Sequence, residues 1–415
     1  MKLNKKLLVV ALASALPWMS AYAQSPADLQ KEIEVLKGQL KMLSEKIEAM
    51  SAKSEPTAIA QQVTRLEQKM DLAEEDAIKA GFKGLKVKGT MELAYLNDST
   101  SATAGFDKST GNGGYGAAML ELTKEPDAGI GWTLRIIPLN AGSKVHEASV
   151  AVPIGDHGAK LIAGLTPDWS GYEYSMGHQN PLITNNLLYS NAASNYMGVG
   201  MSYDLGGGWT GKWMVGQVDG VMTRRAPGFT YRGDYSMGEY SGIGFSGVHV
   251  RTNDESVSPG TNADLMEIDG YYSRGDLSLQ GQVSVGRLIG GAMDGSGNDG
   301  KWVGISGFAG YKLTPRLQAI ARFDYVNNQN NGGGVYYDNG GYGPELDNTG
   351  AIIDPTVGAN RYALSLGTNY AINANTAWKT ELRLDRSSGY NFLEADGVTA
   401  TQSKTTIGTS IVVSF

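Results

Sequence analysis

The sequence contains no cysteine, little proline and no long apolar run. With 0 Cys among 415 residues, disulfide bonds and thiolate catalysis are both excluded. No stretch approaches the roughly 20 consecutive apolar residues that a transmembrane helix needs. Positive charge is also scarce, because 35 Lys and Arg stand against 42 Asp and Glu, a formal net charge of -7. Since no basic stripe could meet a phosphate backbone, we expect no nucleic-acid partner.

The first 23 residues have the layout of a secretory signal peptide. A lysine-rich start is followed by a short apolar run over residues 7–16, and an Ala-Tyr-Ala cleavage site ends at Ala23. Removal of this segment takes Lys2, Lys5 and Lys6 with it, so the mature chain has a net charge of about -10. Export without a membrane-spanning helix predicts a periplasmic protein, a secreted protein or an outer-membrane barrel.

Residues 81–415 are rich in glycine and have apolar residues mostly at every second position. The whole chain has 56 Gly and 21 Tyr but only 13 Pro. Over residues 378–385, for example, Trp378, Leu382 and Leu384 alternate with charged side chains. This period of two predicts β-strands that have one apolar face and one polar face.

Such alternation fits a soluble β-sandwich as well as a membrane barrel. Three features favour the barrel. The segments are about ten residues long, as a tilted membrane strand requires. Aromatic residues such as Trp132, Tyr311 and Trp378 stand at segment ends, as in interfacial girdles. Tight turns alternate with long polar loops, and we therefore predict an all-β transmembrane barrel over residues 81–415.

The turns also predict the number of strands. In outer-membrane barrels, short turns lie on the periplasmic side and long loops lie outside. About fifteen segments are clear, yet both ends of the barrel must be periplasmic, so the number must be even. A short additional strand near residues 229–232 gives about 16 antiparallel strands, with about 14 or 18 as alternatives. A barrel of this size encloses an aqueous lumen.

Residues 24–80 follow a helical period instead. The apolar positions are spaced alternately four and three apart, which is the heptad pattern of a coiled coil. They are Leu29, Ile33, Leu36, Leu40, Leu43 and Ile47. We expect a periplasmic α-helical coiled coil that joins several copies of the chain, with a trimer favoured over a dimer. An amphipathic helix that folds back on its own domain is the alternative.

Several segments resemble a known family. Residues 180–189, 198–203, 302–314 and 322–325 look like the OmpL-like β-barrel porins, and a coiled coil ahead of a barrel is similar to the DcaP-like porins. The terminal Phe415, preceded by Val413 and Ile411, looks like an outer-membrane assembly signal. The resemblance implies a Gram-negative outer-membrane porin. Its partners would be small solutes, membrane lipid and lipopolysaccharide, and the barrel assembly machinery.

Charged side chains on the polar face of the strands are the candidates for ion selectivity, because charged rings in a confined pore select ions by sign. The basic candidates are Arg135, Arg322, Arg383, Lys86, Lys160 and Arg361, and the acidic ones are Glu381, Asp385 and Asp324. The three arginines are the best candidates for a basic ladder, since arginine remains charged. The slight basic excess predicts a weak preference for anions and organic acids. Alternatively, these groups only pair with one another across strands.

The long segment over residues 167–195 is the third outer loop in this count. It contains Asp168, Glu173 and His178. We expect this loop to fold into the lumen and narrow it, with its acids facing the basic wall. A position on the outer rim is the alternative.

These patterns together predict a passive diffusion channel for small hydrophilic solutes. A structural tether between the outer membrane and the cell wall, built on the coiled coil, is the alternative. We expect no catalysis, because the Ser-His pair of outer-membrane hydrolases cannot be placed. We expect no metal or other cofactor either, since the 4 His show no metal-ligand spacing.

Overall fold

The computed structural model describes residues 84–415 with several internal gaps. The gaps are residues 101–104, 108–117, 125–128, 139–144, 156–157, 194, 219–226, 252–261, 293 and 331–342. The predicted signal peptide (1–23) and coiled coil (24–80) lie outside the described residues. Within the described ranges, no helix has the length and apolarity that a bilayer crossing demands.

Sixteen antiparallel strands form a closed barrel. They are β1 (Leu85–Asp98), β2 (Ala118–Lys124), β3 (Gly131–Ile136), β4 (Val145–Ile154), β5 (Ala159–Pro167), β6 (Asn195–Gly206), β7 (Trp209–Val218), β8 (Gly228–Ser236), β9 (Ser241–Arg251), β10 (Asn262–Arg274), β11 (Leu277–Leu288), β12 (Gly300–Lys312), β13 (Leu317–Gln329), β14 (Arg361–Asn373), β15 (Thr376–Ser387) and β16 (Ser403–Ser414). Each strand pairs with its neighbours in the chain, and β1 pairs with β16 to close the barrel. The predicted number of strands is confirmed, including the weak strand, which the structure places at Gly228–Ser236.

The two faces of each strand have opposite character. In β15, Leu382 and Leu384 are exposed on the outer face, whereas Glu381 and Arg383 are buried on the inner face. Exposed apolar residues recur on the outer faces of the other strands in the same alternation. A soluble protein would bury this apolar face, so the pattern fits a wall whose outer surface meets hydrocarbon.

The connections are short at one end of the barrel and long at the other. The short turns lie at 125–130, 155–158, 207–208, 237–240, 275–276, 313–316 and 374–375, and the long loops lie at 99–117, 137–144, 168–194, 219–227, 252–261, 289–299, 330–360 and 388–402. Glycine at positive φ permits the tightest turns, as at Gly207 (φ 62) and Gly275 (φ 61). Because short turns are periplasmic in outer-membrane barrels, β1 begins on the periplasmic side.

The seam where β1 meets β16 includes the last residue of the chain. The N–H of Phe415 donates to the carbonyl oxygen of Gly89 at 2.9 Å, and the N–H of Gly89 donates to the carbonyl oxygen of Phe415 at 3.1 Å. The Phe415 ring covers Gly89, where a Cβ would lie 2.0 Å from the ring. The terminal residue therefore belongs to the ladder that closes the barrel.

Replacing Phe415 with Ala should lower the amount of folded barrel in the outer membrane, because the ring that covers the seam is lost. The fraction of protein that shows heat-modifiable migration on electrophoresis measures this amount. Val398→Ala is the matched control, since Val398 lies in the last loop with its side chain 81% exposed. Equal folded amounts for the two variants would contradict a role of Phe415 in assembly.

Candidate functional site

Residues 168–193, which we call the inner loop, connect β5 to β6 and fold against the inner face of the barrel. Apart from two single 3-10 turns, at Gly177–Gln179 and Tyr189–Asn191, the loop has no regular structure. Leu182 and Ile183 are nevertheless completely buried. Burial of an irregular segment requires partners for its backbone groups. The strands of the wall and the loop itself supply them.

Polar side chains within the inner loop stabilise its backbone conformation by hydrogen bonds to the loop's own backbone. The side-chain amide of Asn180 accepts from the N–H of Tyr174 at 2.9 Å and donates to its carbonyl oxygen at 2.7 Å. Asn185 donates to the same carbonyl oxygen at 2.9 Å. Gly171 has φ 66, and a Cβ there would meet the Gln282 side chain at 2.7 Å, so the loop approaches the wall closely at this point.

The start of the inner loop is bound by Arg232 of β8, a contact that we call the first anchor. Its guanidinium donates two hydrogen bonds to Asp269, at 2.7 and 2.9 Å. The same group donates to the carbonyl oxygen of Trp169 at 3.0 Å. The ammonium of Lys212 lies 4.7 Å from the centre of the Trp169 ring, in the range of a cation–π contact. The first anchor therefore combines a bidentate ion pair with a backbone contact.

The second half of the inner loop is bound by Arg322 of β13, which is completely buried. Its guanidinium donates to the carboxylate of Glu173 at 2.8 Å and to the carbonyl oxygens of Thr184 and Asn185 at 2.6 and 3.0 Å. Asp324, two residues further along β13 on the same face, lies 3.2 Å from it. A planar group with five N–H donors suits this role, because it satisfies a carboxylate and backbone carbonyls at once.

Three residues of β15 extend this contact, and together with Arg322 we call them the second anchor. Glu381 accepts hydrogen bonds from the N–H groups of Ile183 and Thr184, both at 2.8 Å. Lys379 donates to loop carbonyl oxygens. Arg383 binds Asp385 beside it and also reaches the loop. These wall charges therefore hold loop backbone, and they do not face open water.

Apolar side chains complete the packing on the same side of the lumen. Leu188 of the inner loop joins a buried cluster with inner-face residues of β7, β9–β14 and the loop end, among them Met214, Val248, Leu265, Trp302 and Val326. The loop thus fills the space beside these strands with both ionic and apolar contacts. This packing leaves the periplasmic half of β1–β5 as the part of the wall where charged side chains reach water.

A row of four charged side chains crosses β1–β4 on this open side. Strand register places Lys88, Glu121, Arg135 and Glu147 opposite one another in turn. Arg135 lies 2.6 Å from Glu121 and 2.7 Å from Glu147, and Lys88 lies 3.6 Å from Glu121. The side chains of Lys88 and Arg135 are 67% and 25% exposed, against 12% for each carboxylate. The basic members therefore present more surface to water than the acidic ones.

The predicted site residues thus separate into two groups. Lys86, Lys160 and Arg135 keep contact with water on the inner face of β1–β5. The others are buried, namely Arg322, Arg383, Arg361, Glu381, Asp385 and Asp324. Arg361 lies over the ring of Phe392, 4.3 Å from its centre. We expected Arg322 and Arg383 to form an open basic ladder, but the inner loop covers both.

The loop residues that we singled out are also bound within the packed part of the lumen. Asp168 accepts hydrogen bonds from the Tyr196 hydroxyl and from Ser170, and Glu173 binds Arg322. Neither acid therefore faces a basic wall across open water. Sequence reasoning missed Arg232, because it lies in a stretch where the order of strands was ambiguous. Arg232 alternates with the aromatic residues Phe229, Tyr231 and Tyr235, and this alternation could have placed it on the polar face of a strand.

His178 lies in the inner loop with no protein hydrogen-bond partner for its buried Nδ1. Burial lowers the pKa of His178 to about 4, and the positive charges of Lys379 and Arg135 act in the same direction. An unfolded histidine binds its proton near pH 6.5. The unfolded chain therefore gains a proton first on acidification, and stability should fall as the pH drops from about 6.5 towards about 4.

Replacing His178 with Gln should remove part of this acid sensitivity. We expect the melting temperature of the native protein in detergent to fall more between about pH 7 and about pH 5 than that of the variant. His249→Gln is the control, because His249 lies on the outer wall beside Asp264. A loss of melting temperature identical in all three proteins would show that His178 does not contribute.

Within the described ranges, no three His, Asp or Glu side chains come together as a metal site. The geometry that the structure offers is therefore a lumen with a bound loop on one side and partly exposed basic side chains on the other. Such an arrangement can select solutes by size and by charge.

Comparison with known proteins identifies the type of barrel. Residues 138–415 match the family described as "Putative beta-barrel porin-2, OmpL-like". An anion-selective porin from Comamonas acidovorans has a similar structure, with a TM-score of 0.57 and 12% identity over 80% of this chain and 99% of that one. OmpT of Vibrio cholerae has a TM-score of 0.53 and 12% identity, over 80% of this chain and 97% of that one. The trimer form of the same protein has the same TM-score and identity, over 80% of this chain and 99% of that one.

At this identity the structural likeness shows the fold alone, and no curated protein matches the chain in sequence. The similarity to DcaP-like porins concerned the N-terminal coiled coil, which lies outside the described residues. The family match, by contrast, spans more than half of the chain. The chain therefore belongs to the OmpL-like β-barrel porin-2 family, and it is a porin of the Gram-negative outer membrane.

Proposed function

We propose that this porin is a passive diffusion channel for small hydrophilic solutes, with a weak preference for anions and organic acids. The observation that carries the proposal is the charge on the open side of the lumen. In the periplasmic half of β1–β5, the inner-face cations Lys86, Lys88, Arg135 and Lys160 contact water. The carboxylates beside them are largely covered and are bound by Arg135.

The local charge matters more than the net charge of the chain. At physiological salt, a fixed charge is screened over about 8 Å, so a passing ion responds mainly to the nearest side chains. The net charge of -7 belongs to the whole chain and includes loops and termini far from this wall. The Comamonas acidovorans porin of similar fold is described as anion-selective, which supports the same direction.

The inner loop is proposed to be the constriction of the channel. It contacts strands on opposite sides of the barrel, since Ser175 Oγ lies 3.1 Å from His146 Nε2 on β4 and Tyr172 Oη lies 2.6 Å from Ser306 Oγ on β12. With both anchors in place, the loop is held at a fixed depth. Solutes that pass the loop would then meet the periplasmic half of the wall of β1–β5.

We also propose that the chain forms a homotrimer in contact with lipid and lipopolysaccharide after insertion by the barrel assembly machinery. A trimer form is described for the Vibrio cholerae OmpT of similar fold, which supports a trimer here. The alternative function as a tether to the cell wall depends on the predicted coiled coil, which lies outside the described residues. It therefore remains a prediction from the sequence.

Recording from the purified full-length protein in planar lipid bilayers tests this proposal. We expect stepwise increases in conductance, together with a reversal potential across a potassium chloride gradient whose sign indicates anion preference. A folded protein that gives no conductance steps would contradict the channel function. A reversal potential of the opposite sign would contradict the anion preference alone.

A further inference from the structure

A buried acid on the inner face of β10, Glu267, faces the start of the inner loop. Its Oε1 accepts hydrogen bonds from Gln282 Nε2 and from Ser284 Oγ, both at 2.7 Å. Its Oε2 is equally buried, but no described residue donates a hydrogen bond to it. Ser246, which lies opposite Glu267 on β9, does not reach it. A buried carboxylate oxygen without a donor is unfavourable, so Oε2 requires a partner of another kind.

The cations nearest to this acid are bound elsewhere. They are Lys212 of β7 and Arg232 of β8, on the strands towards the start of the inner loop. Arg232 is paired with Asp234 and Asp269, whereas the Lys212 ammonium lies over the Trp169 ring. If the acid were ionised, it would be a buried charge without an ion pair among the described residues, which is a strongly unfavourable state.

A second acid, Asp168 at the start of the inner loop, lies close enough to Glu267 for two negative charges to repel each other. Asp168 accepts hydrogen bonds from the Tyr196 hydroxyl, from the Ser170 N–H at 3.0 Å and from the Ser170 hydroxyl at 2.6 Å. Three donors suit an ionised carboxylate, because each of them stabilises its negative charge. If the pair carries a single negative charge, that charge therefore belongs on Asp168.

Ser170 connects the two acids. Its hydroxyl faces Glu267 as well as Asp168, but its one proton is donated to Asp168. Towards Glu267 the hydroxyl therefore presents only its lone pairs. A proton on Oε2 of Glu267 would turn this contact into a hydrogen bond and would complete a chain from Glu267 through Ser170 to Asp168.

We propose that Glu267 and Asp168 form a proton-binding site, in which one proton on Oε2 of Glu267 fastens the start of the inner loop to β10. With the proton in place, Glu267 donates to Ser170 and Ser170 donates to Asp168, so loop and wall are joined without an ion pair. Loss of the proton removes the first of these hydrogen bonds and places two negative charges beside one hydroxyl. The attachment of the loop to β10 therefore weakens as the pH rises.

Glu267→Gln tests the site, because the amide is neutral at every pH and can donate to Ser170 in place of the proton. An unfolded glutamate releases its proton near about pH 4.3, whereas the folded protein keeps it. The stability of the native protein should therefore fall as the pH rises from about 5 to about 7, and the variant lacks this loss. In detergent, we expect the melting temperature of Glu267→Gln to gain on that of the native protein by roughly 2 °C per pH unit.

Glu381→Gln is the matched control. Glu381 is also buried beneath the inner loop, but it accepts hydrogen bonds from the N–H groups of Ile183 and Thr184 and lies 3.8 Å from Arg322. Its carboxylate has both donors and a cation, so this variant should melt below the native protein throughout the pH range. It should not gain on the native protein as the pH rises.

Infrared difference spectra of the same proteins provide a second measurement. At about pH 7, the carbonyl band of a neutral carboxylic acid should be weaker in Glu267→Gln than in the native protein and unchanged in Glu381→Gln. An identical band in the native protein and Glu267→Gln would overturn the proposal. A Glu267→Gln protein that does not fold, or that melts below the native protein by the same amount at every pH, would overturn it too, because Oε2 would then carry a charge. Neither measurement involves conduction, so the result is independent of the channel function.

Discussion

Replacing Arg322 with Ala should loosen the inner loop and raise the conductance of the channel. The buried guanidinium binds Glu173, Asp324 and two backbone carbonyl oxygens of the loop. Its removal leaves two carboxylates buried without their cation. Breaking a buried ion pair in this way typically costs about 3–5 kcal/mol. The loop can relieve this cost only by moving away from β13 and admitting water.

Two measurements check this result. The melting temperature in detergent should fall, and the single-channel conductance should rise or fluctuate between levels. Arg322→Lys should give an intermediate result, because one ammonium cannot bind Glu173 and the carbonyl oxygen of Asn185 in the forked geometry of arginine. Arg386→Ala on the outer face is the control. Native melting and conductance in Arg322→Ala would refute the second anchor as the support of the loop.

Changing three cations on the open side of the lumen should reverse the ion preference. The changes are Lys88→Glu, Lys160→Glu and Arg135→Gln. The last one leaves Glu121 and Glu147 without the guanidinium that lies 2.6 and 2.7 Å from them. The inner face of the periplasmic half of β1–β5 then carries only negative charge apart from Lys86, and cations should become the favoured ions.

The reversal potential across a potassium chloride gradient measures this change directly. We expect its sign to invert in the triple variant and to stay native in Lys301→Gln, because Lys301 is exposed on the outer face. Glutamine at Arg322 is not a suitable comparison, since it would also release the loop. An unchanged sign in the triple variant would show that other groups determine selectivity.

The barrel itself could be predicted from the sequence because strand alternation is a local property. In each strand, as in β15, the alternation of apolar and polar residues identifies the outer and the inner face. Turns such as 207–208 mark where one strand ends and the next begins. The weak strand at Gly228–Ser236 could be predicted only because the number of strands must be even, since both ends of the barrel lie on the periplasmic side. The tight turn over 237–240 was not predicted, because its Ser-Met-Gly-Glu-Tyr surroundings lack a Pro or Asn signal.

The environment of the wall charges could not be predicted in the same way. Alternation places Arg322 and Glu381 on the inner face, and the structure agrees. It does not tell what covers them, because that depends on residues far away in the chain. Glu173 is 149 positions from Arg322, and Thr184 is 197 positions from Glu381. No periodic pattern records contacts of this range, so the division between covered and open charges needed the folded chain.

The most direct test measures the single-channel conductance of the native protein and of a variant in which the inner loop is shortened. In this variant, a short Gly-Ser linker replaces residues 173–187, which removes the contacts to Arg322, Glu381 and Lys379. The buried charged side chains of β13 and β15 that this uncovers are three cations and three acids, namely Arg322, Lys379, Arg383, Asp324, Glu381 and Asp385, so water can hydrate them and the barrel should still fold. We expect both proteins to conduct, with a conductance several-fold larger in the shortened one. Equal conductance in the two proteins, or no conductance in either, would contradict a water-filled channel that is narrowed by the inner loop.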